Sequence, residues 1–348
     1  MNSVAQLPAE ERAILFQEAA QRRGLAPLVI EKDFWVCWTL KQLFDLPTGQ
    51  HLIFKGGTSL SKIFGIIKRF SEDIDLSISR ESLGFGAEKE PEAASSKKQT
   101  QQRIEELQQA CIQKITSELL PSMKEAFVAI LGDAPGNDVS ETSWQLEQDT
   151  HDPQTLLFTY PRQQNTPLLI ASYIRPVVRI ELGARSDHWP AGTYPLTPYA
   201  AEEFPDYFKA PICQVKTLEA ERTFWEKATI LHAEHFRPTG SATADRISRH
   251  YYDLYQMANS VIGEKALTRM DLLKRVAEHK RVFFRSAWAR YEEAHPGSLH
   301  LIPSKERLSA LRADYDKMEE MFFEQRPSFQ QMLDALQKLE ERINEQNS

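Results

Sequence analysis

Apolar and polar residues recur with two different periods along this chain, and the period divides it into two territories. Residues 8–23 place apolar positions three and four apart, which predicts a short amphipathic helix. "LVIEKDFWVCWTLKQLF" at 28–44 predicts a second helix with an aromatic, apolar face. "HLIFK" at 51–55 reads as a short strand running into a Gly-Gly turn, "SLSKIFGIIKRF" at 59–70 as a helix, and "DIDLSIS" at 73–79 as a returning strand. Strand, glycine turn, helix and strand in about thirty residues make a compact α/β unit. The polar stretch "GFGAEKEPEAASSKKQTQQ" at 84–102 predicts a flexible surface insert. A helix at 101–131 and strands at about 143–148, 155–160 and 168–180 follow. From "TLEAERTFWEKATILHAEHF" at 217–236 onward the period is helical. A boundary near 212, after the proline-interrupted stretch 190–211, gives a mixed α/β domain at 1–212 and a helical domain at 213–348.

Composition narrows the setting. A chain of 348 residues with 41% hydrophobic and 26% charged positions is ordinary globular protein and long enough for two domains. The net charge of −7 argues against a generic nucleic-acid coat protein but leaves room for a local basic groove. Cys37, Cys111 and Cys213 are scattered and match no zinc spacing, which fits a reducing cytoplasm. The first residues, "MNSVAQLPAEERAILF", carry acids where a signal peptide needs a basic start. The most apolar stretch, "PLLIASYIRPVVRIEL", is broken by Arg175 and Pro176, so no membrane span is expected.

The candidate chemistry begins with "RFSEDIDLSIS". On a strand, Ile74, Leu76 and Ile78 face one way, and Asp73, Asp75 and Ser77 the other. Two carboxylates together repel unless a cation or a basic group lies between them, and a hard divalent ion suits both. They could equally be solvated acids at a strand edge. "KGGTSLSK" just upstream is not a P-loop, because Ser61, Lys62 and Ile63 stand where that motif wants Gly, Lys and a hydroxyl. Its glycines and the hydroxyls of Thr58 and Ser59 could hold a phosphate tail, or one hydroxyl could simply cap a helix.

In "PVVRIELGAR", Glu181 faces outward with Arg179; it is either an ion-pair partner of Arg179 or Arg185, or a third metal ligand. Lys227 borders the apolar stripe of its helix, where it could snorkel or reach phosphates. "RISRHYYDLYQM" places Arg246, Arg249, His250 and Asp253 on one helical face, and an Arg249–Asp253 pair four apart is a common surface device. His232 and His235 lack a third ligand at zinc spacing. The cations Lys265, Arg269, Lys274, Arg275, Lys280, Arg281 and Arg285 could line a path for a polyanion such as RNA, or form a solvated face.

"FKGGTSLSK" followed by "RFSEDIDL", with "IEKDFW" upstream and "RTFWEKATILH" and "RHYYDLY" in the helical half, resembles the AbiEii/AbiGii toxin family. These are nucleotidyltransferase toxins of type IV-like toxin–antitoxin and phage-defence systems, related to the DNA polymerase β superfamily. The resemblance implies an α+β fold, a polymerase-β-like domain with a mixed sheet, and a helical domain completing the active-site cleft. It implies an enzyme that moves an NMP from an NTP, with Mg²⁺ or Mn²⁺, to an acceptor hydroxyl such as the 3′ end of tRNA, stopping translation. A cognate antitoxin would be a partner. Carried over, Asp73, Asp75, Lys227 and Asp253 would be catalytic, and Asp73, Asp75 and Glu181 would bind metal. Gly56, Gly57, Thr58, Ser59, Lys62, Arg69 and Lys227 would contact the nucleotide. This chain departs from the family in "RHYYD", where an R-D pair is common before Tyr-Asp. A kinase-like phosphotransferase and a catalytically silent nucleotide-binding module are the alternatives.

Overall fold

The computed structural model describes residues 1–133, 143–162, 176–242 and 245–346. Among the described residues seven strands form one mixed sheet: β1 Leu52–Lys55, β2 Ile74–Ile78, β3 Gln145–Gln148, β4 Thr155–Thr159, β5 Val177–Gly183, β6 Ala191–Leu196 and β7 Cys213–Leu218, in the order β3-β4-β5-β2-β1-β7-β6. β1 runs antiparallel to β2, and β2 parallel to β5, so the two strands flanking the glycine turn lie at the centre of the sheet. Helices α1 Asn2–Ala5, α2 Ala9–Arg23, α3 Pro27–Asp45, α4 Gly56–Lys62, α5 Lys97–Lys114, α6 Leu120–Leu131 and α7 Tyr199–Glu203 belong with it. The architecture is α+β, in agreement with the expectation from the sequence.

One face of the sheet makes the core. Leu76, Ile180, Leu156 and Phe158 are buried there. Trp35 and Trp38 of α3 pack on Phe158, and Trp35 stacks on Tyr160 with ring centroids 5.5 Å apart. Phe127 of α6 closes on Trp38 at 4.6 Å. α3 is therefore apolar around most of its circumference, as a helix buried on several sides must be. Lys32 and Asp33 interrupt it, and they are as buried as its tryptophans. The opposite face of the sheet is polar and half-exposed: Lys55, Asp75, Arg179 and Glu181 stand on it.

Several expectations are corrected. The helix expected at 59–70 spans Gly56–Lys62 and stops there. Gly65 turns the chain with φ +62°, and Phe64–Arg69 groups with the second compact unit instead of the first. The polar insert is not a loose excursion. Arg103 donates to the carbonyls of Glu88 and Glu90 at 2.7 Å, and Arg80 pairs with Glu92 at 2.9 Å. Ser96 then caps α5, which starts at Lys97, and a π-helical turn at Ile115–Leu119 joins α5 to α6. β5 continues to Gly183, three residues past the expected end; positions 168–175 of that expected strand, including Arg175, lie outside the described residues.

Strands β6 and β7 were missed. Gly192 and Pro195 disguise the first. The second alternates openly, with Cys213, Val215 and Thr217 buried and Gln214 and Lys216 exposed, but it adjoins the proline-rich stretch read as a boundary. The two compact units meet in sequence at Thr217–Leu218.

The second unit is helical: α8 Ala220–Phe236, α9 Ser248–Ala258, α10 Val261–Leu267, α11 Met270–Phe283, α12 Leu308–Lys317 and α13 Phe329–Glu345. α13 buries Met332, Leu336, Leu339 and Ile343 at three- and four-residue intervals, and the capping box Ser328–Gln331 starts it. The start of α9 is capped from another helix: Asp314 of α12 accepts from Ser248 N at 2.8 Å, Ser248 Oγ at 2.6 Å and Arg246 N at 3.0 Å. Phe64–Arg69 joins this unit through a bridge from Arg69 to Phe322 and a hydrogen bond from Phe323 N to Lys68 O.

Candidate functional site

The carboxylate strand and the glycine turn form one construction. β2 pairs Asp75 with Lys55 of β1 on one side and with Glu181 of β5 on the other, so all three side chains stand on the polar face. Gly56, the next residue after Lys55, has φ +81°. A Cβ on Gly56 would lie 2.0 Å from Asp75 Oδ2. The Asp75 carboxylate thus rests directly against the backbone of the turn, and only glycine leaves it room. Thr58 Oγ1 donates to the backbone carbonyl of Asp73 at 2.6 Å and lies 3.0 Å from Ser71 Oγ. Ser59 Oγ donates back to Gly56 O at 2.8 Å. Both residues are buried; Thr58 holds the turn to the strand side and Ser59 closes the turn on itself, and neither is the N-cap, which is Lys55.

Lys62 lies at the end of α4 with its side chain 4% exposed. Its ammonium is 2.6 Å from Asp33 and 3.4 Å above the Tyr199 ring. Burial works against its charge, but Asp33 more than compensates and holds the ammonium above its ordinary pKa. Lys62 is therefore turned into the core.

Glu181 neighbours Asp75 in register, yet its carboxylate also lies 3.5 Å from Arg179. Among the described residues no three His, Cys, Asp or Glu side chains converge closely enough to hold an ion by themselves. Mg²⁺ does not need such a cage, since it keeps several waters and is bound through one or two carboxylates plus substrate phosphates. Asp75 on the polar face, and Asp73 just before the strand, offer oxygen ligands of that kind. His188, which sequence reasoning missed, lies on the same face: a ring nitrogen is 2.8 Å from Ser77 Oγ, two residues along β2 from Asp75. Burial, then the charges of Arg80 and Lys216, lower its pKa to about 4, so it is neutral at physiological pH. It belongs to a loop with no periodic pattern, and no motif marks it.

A second cluster lies within the helical unit. Arg69 grips Asp253 with two hydrogen bonds of 2.7 Å, and Lys227 Nζ adds a 2.8 Å contact. All three are buried. Burial alone would raise the Asp253 pKa, but Arg69 and Lys227 hold it well below the usual carboxylate range. Lys227 also lies 3.3 Å from His250 Nδ1, and His250 is kept neutral by burial and by the charges of Lys227 and Arg249. Asp253 is thus held by a residue 184 positions away, a pairing that helical spacing could not reveal. Of the cations read as a polyanion path, Lys274, Arg275, Arg281 and Arg285 are exposed, but Lys280 is not. It donates to the Glu226 carbonyl at 2.8 Å, and burial lowers its pKa to about 7.

Two outcomes follow from this geometry. Gly56→Ala forces Asp75 off the turn at a backbone φ of +81°, so it should lose turnover and lower the melting temperature as well; a fully active Gly56→Ala protein of wild-type stability would contradict the contact. Asp253→Asn leaves Arg69 and Lys227 without their carboxylate and should cost about 3–5 kcal/mol near neutral pH. Because the folded pKa of Asp253 is depressed, its contribution is present above the unfolded value of about 4 and fades as the pH falls below it. Urea unfolding of both proteins should show the gap shrinking under acid; a gap independent of pH would rule out the carboxylate as its source.

Comparison with known proteins gives a family and a fold. Residues 38–335 match the family described as nucleotidyl transferase AbiEii toxin of a type IV toxin–antitoxin system. No curated protein matches the chain significantly. Among solved structures, MenT4, a nucleotidyltransferase toxin from Mycobacterium tuberculosis H37Rv, is similar over 94% of this chain and 89% of its own, with a TM-score of 0.52 and 16% identity. JHP933 from Helicobacter pylori matches over 93% of this chain and 96% of its own at 13% identity, with a TM-score of 0.43. The family match spans most of the sequence and includes the glycine turn, the paired aspartates, Lys227 and Asp253: this chain belongs to the AbiEii nucleotidyltransferase toxin family.

Proposed function

We propose that the protein transfers an NMP unit from an NTP to an acceptor hydroxyl, with Asp73 and Asp75 as ligands of Mg²⁺ or Mn²⁺. The observation that carries this reading is the Asp75 carboxylate set against the Gly56 backbone, in a chain of nucleotidyltransferase family. Gly56 and Gly57 let the triphosphate approach the main chain. Thr58 and Ser59 keep the turn in place from within. Glu181 stands beside Asp75 as the third carboxylate. The bound cation would neutralise phosphate charge and stabilise the leaving pyrophosphate. The acceptor oxygen forms its bond to the α-phosphorus while the bond to the bridging oxygen of the β-phosphate breaks, and the hydroxyl proton passes to solvent.

By family resemblance the acceptor is the 3′ end of tRNA, and its modification stops translation until a cognate antitoxin intervenes. The exposed cations Lys274 and Arg281, seven apart on α11, supply phosphate contacts for such an RNA. The reaction belongs in the cytoplasm, where NTPs and tRNA are found; among the described residues no helix is long and apolar enough to cross a membrane.

The test is the fate of the label. With tRNA and Mg²⁺, α-labelled NTP should label the RNA, γ-labelled NTP should release its label as pyrophosphate, and periodate-treated tRNA should accept nothing. Asp75→Asn should lower transfer by at least about 100-fold, the scale for losing a group that stabilises transition-state charge. Stable transfer of the γ-label to a protein or small molecule would instead make the enzyme a phosphotransferase.

A further inference from the structure

We infer that Lys32 and Asp33 are positioning residues of the transfer site: from one buried point of α3 they fix the glycine turn and the carboxylate strand at a single separation. The inference rests on the transfer reading above for its function, but its geometry stands apart from it. Lys32 and Asp33 sit among the buried aromatic and aliphatic residues of α3 and are only 2% and 3% exposed. The two residues are consecutive, yet they reach different segments. Lys32 pairs with Glu72, the residue immediately before Asp73. Asp33 pairs with Lys62, the last residue of the helix that Gly56 begins. The second oxygen of Asp33 accepts the Tyr199 N–H at 2.6 Å, so its orientation is fixed by α7 as well.

The turn and the strand are thus tied twice. Thr58 joins them directly through the Asp73 carbonyl, and α3 joins them again through Lys62 at the end of α4 and Glu72 next to Asp73. Stability does not explain the choice of residues. A buried ion pair recovers roughly what its desolvation costs, and well-packed apolar replacements are often as stable or more so. What the pairs add is direction: each charge meets its partner at a fixed point, Lys32 at Glu72 and Lys62 at Asp33. A site that must place carboxylates against a backbone turn loses rate quickly when displaced, about 100-fold for 1 Å.

The test uses the full chain and two variants. Lys32→Met with Glu72→Leu removes both ends of one pair; Lys32→Glu with Glu72→Lys exchanges its ends. The apolar variant should keep the wild-type melting temperature, lose about 10- to 100-fold in kcat with a smaller change in KM, and exchange amide hydrogens faster at residues 56–62 and 71–75 but not in β4. The exchanged variant should recover part of both. In the apolar variant, wild-type hydrogen exchange at those two segments, or a kcat that follows only the folded fraction, overturns the inference; if that variant fails to fold, Lys32→Arg, which keeps the charge but displaces it, takes its place with the same readouts and the same overturning results. A wild-type protein that transfers nothing would overturn the transfer reading and leave the exchange data to decide whether the two segments are held from α3.

Discussion

The close approach of the Asp75 carboxylate to the Gly56 backbone is the constraint around which the first unit is arranged. It requires a left-handed backbone at Gly56 and the absence of a Cβ. It also requires that β1 and β2 be antiparallel neighbours in a register that puts Lys55 opposite Asp75. Once those are met, Thr58 falls under the Asp73 carbonyl and seals the turn to the strand. The parallel pairing of β2 with β5 then brings Glu181 alongside. Around Asp75 this face of the sheet is polar because these groups occupy it, while Ile53 and Ser77 further along the same face are buried.

Buried charge is used differently in the two units. In the first, Lys32–Glu72 and Lys62–Asp33 join segments far apart in sequence beneath the site-bearing turn and strand. In the second, a single carboxylate, Asp253, gathers Arg69 and Lys227, and Asp314 caps the helix that carries it. In both, burial raises the cost of losing any one partner, so these side chains fix geometry more than they add stability.

Much of this was legible from the sequence because it is local. The alternation of "DIDLSI" put Asp75 on the polar face, opposite Ile74, Leu76 and Ile78, and the motif pair around the glycine turn was specific enough to resemble the family that matches residues 38–335. The placements that spacing did not show depend on distant partners. Lys62 and Lys280 read as cations available to phosphates, but Asp33 lies 29 positions from Lys62 and the Glu226 carbonyl 54 from Lys280, and each draws its ammonium inside. The helix expected to run to Phe70 ends at Lys62 because the following residues pack in the other unit, which periodicity does not encode. His188 carries no local signal at all, since its partner Ser77 is 111 residues away.

The central claim is that Asp73 and Asp75 receive a divalent cation together with the phosphates of an NTP. Crystals grown with Mn²⁺ and a non-hydrolysable NTP analogue test it most directly, through anomalous scattering from manganese. The account predicts a manganese peak within coordination distance of both carboxylates, bridged to phosphate oxygens lying over Gly56 and Gly57. Phosphates bound elsewhere, or manganese coordinated without either aspartate, would contradict it.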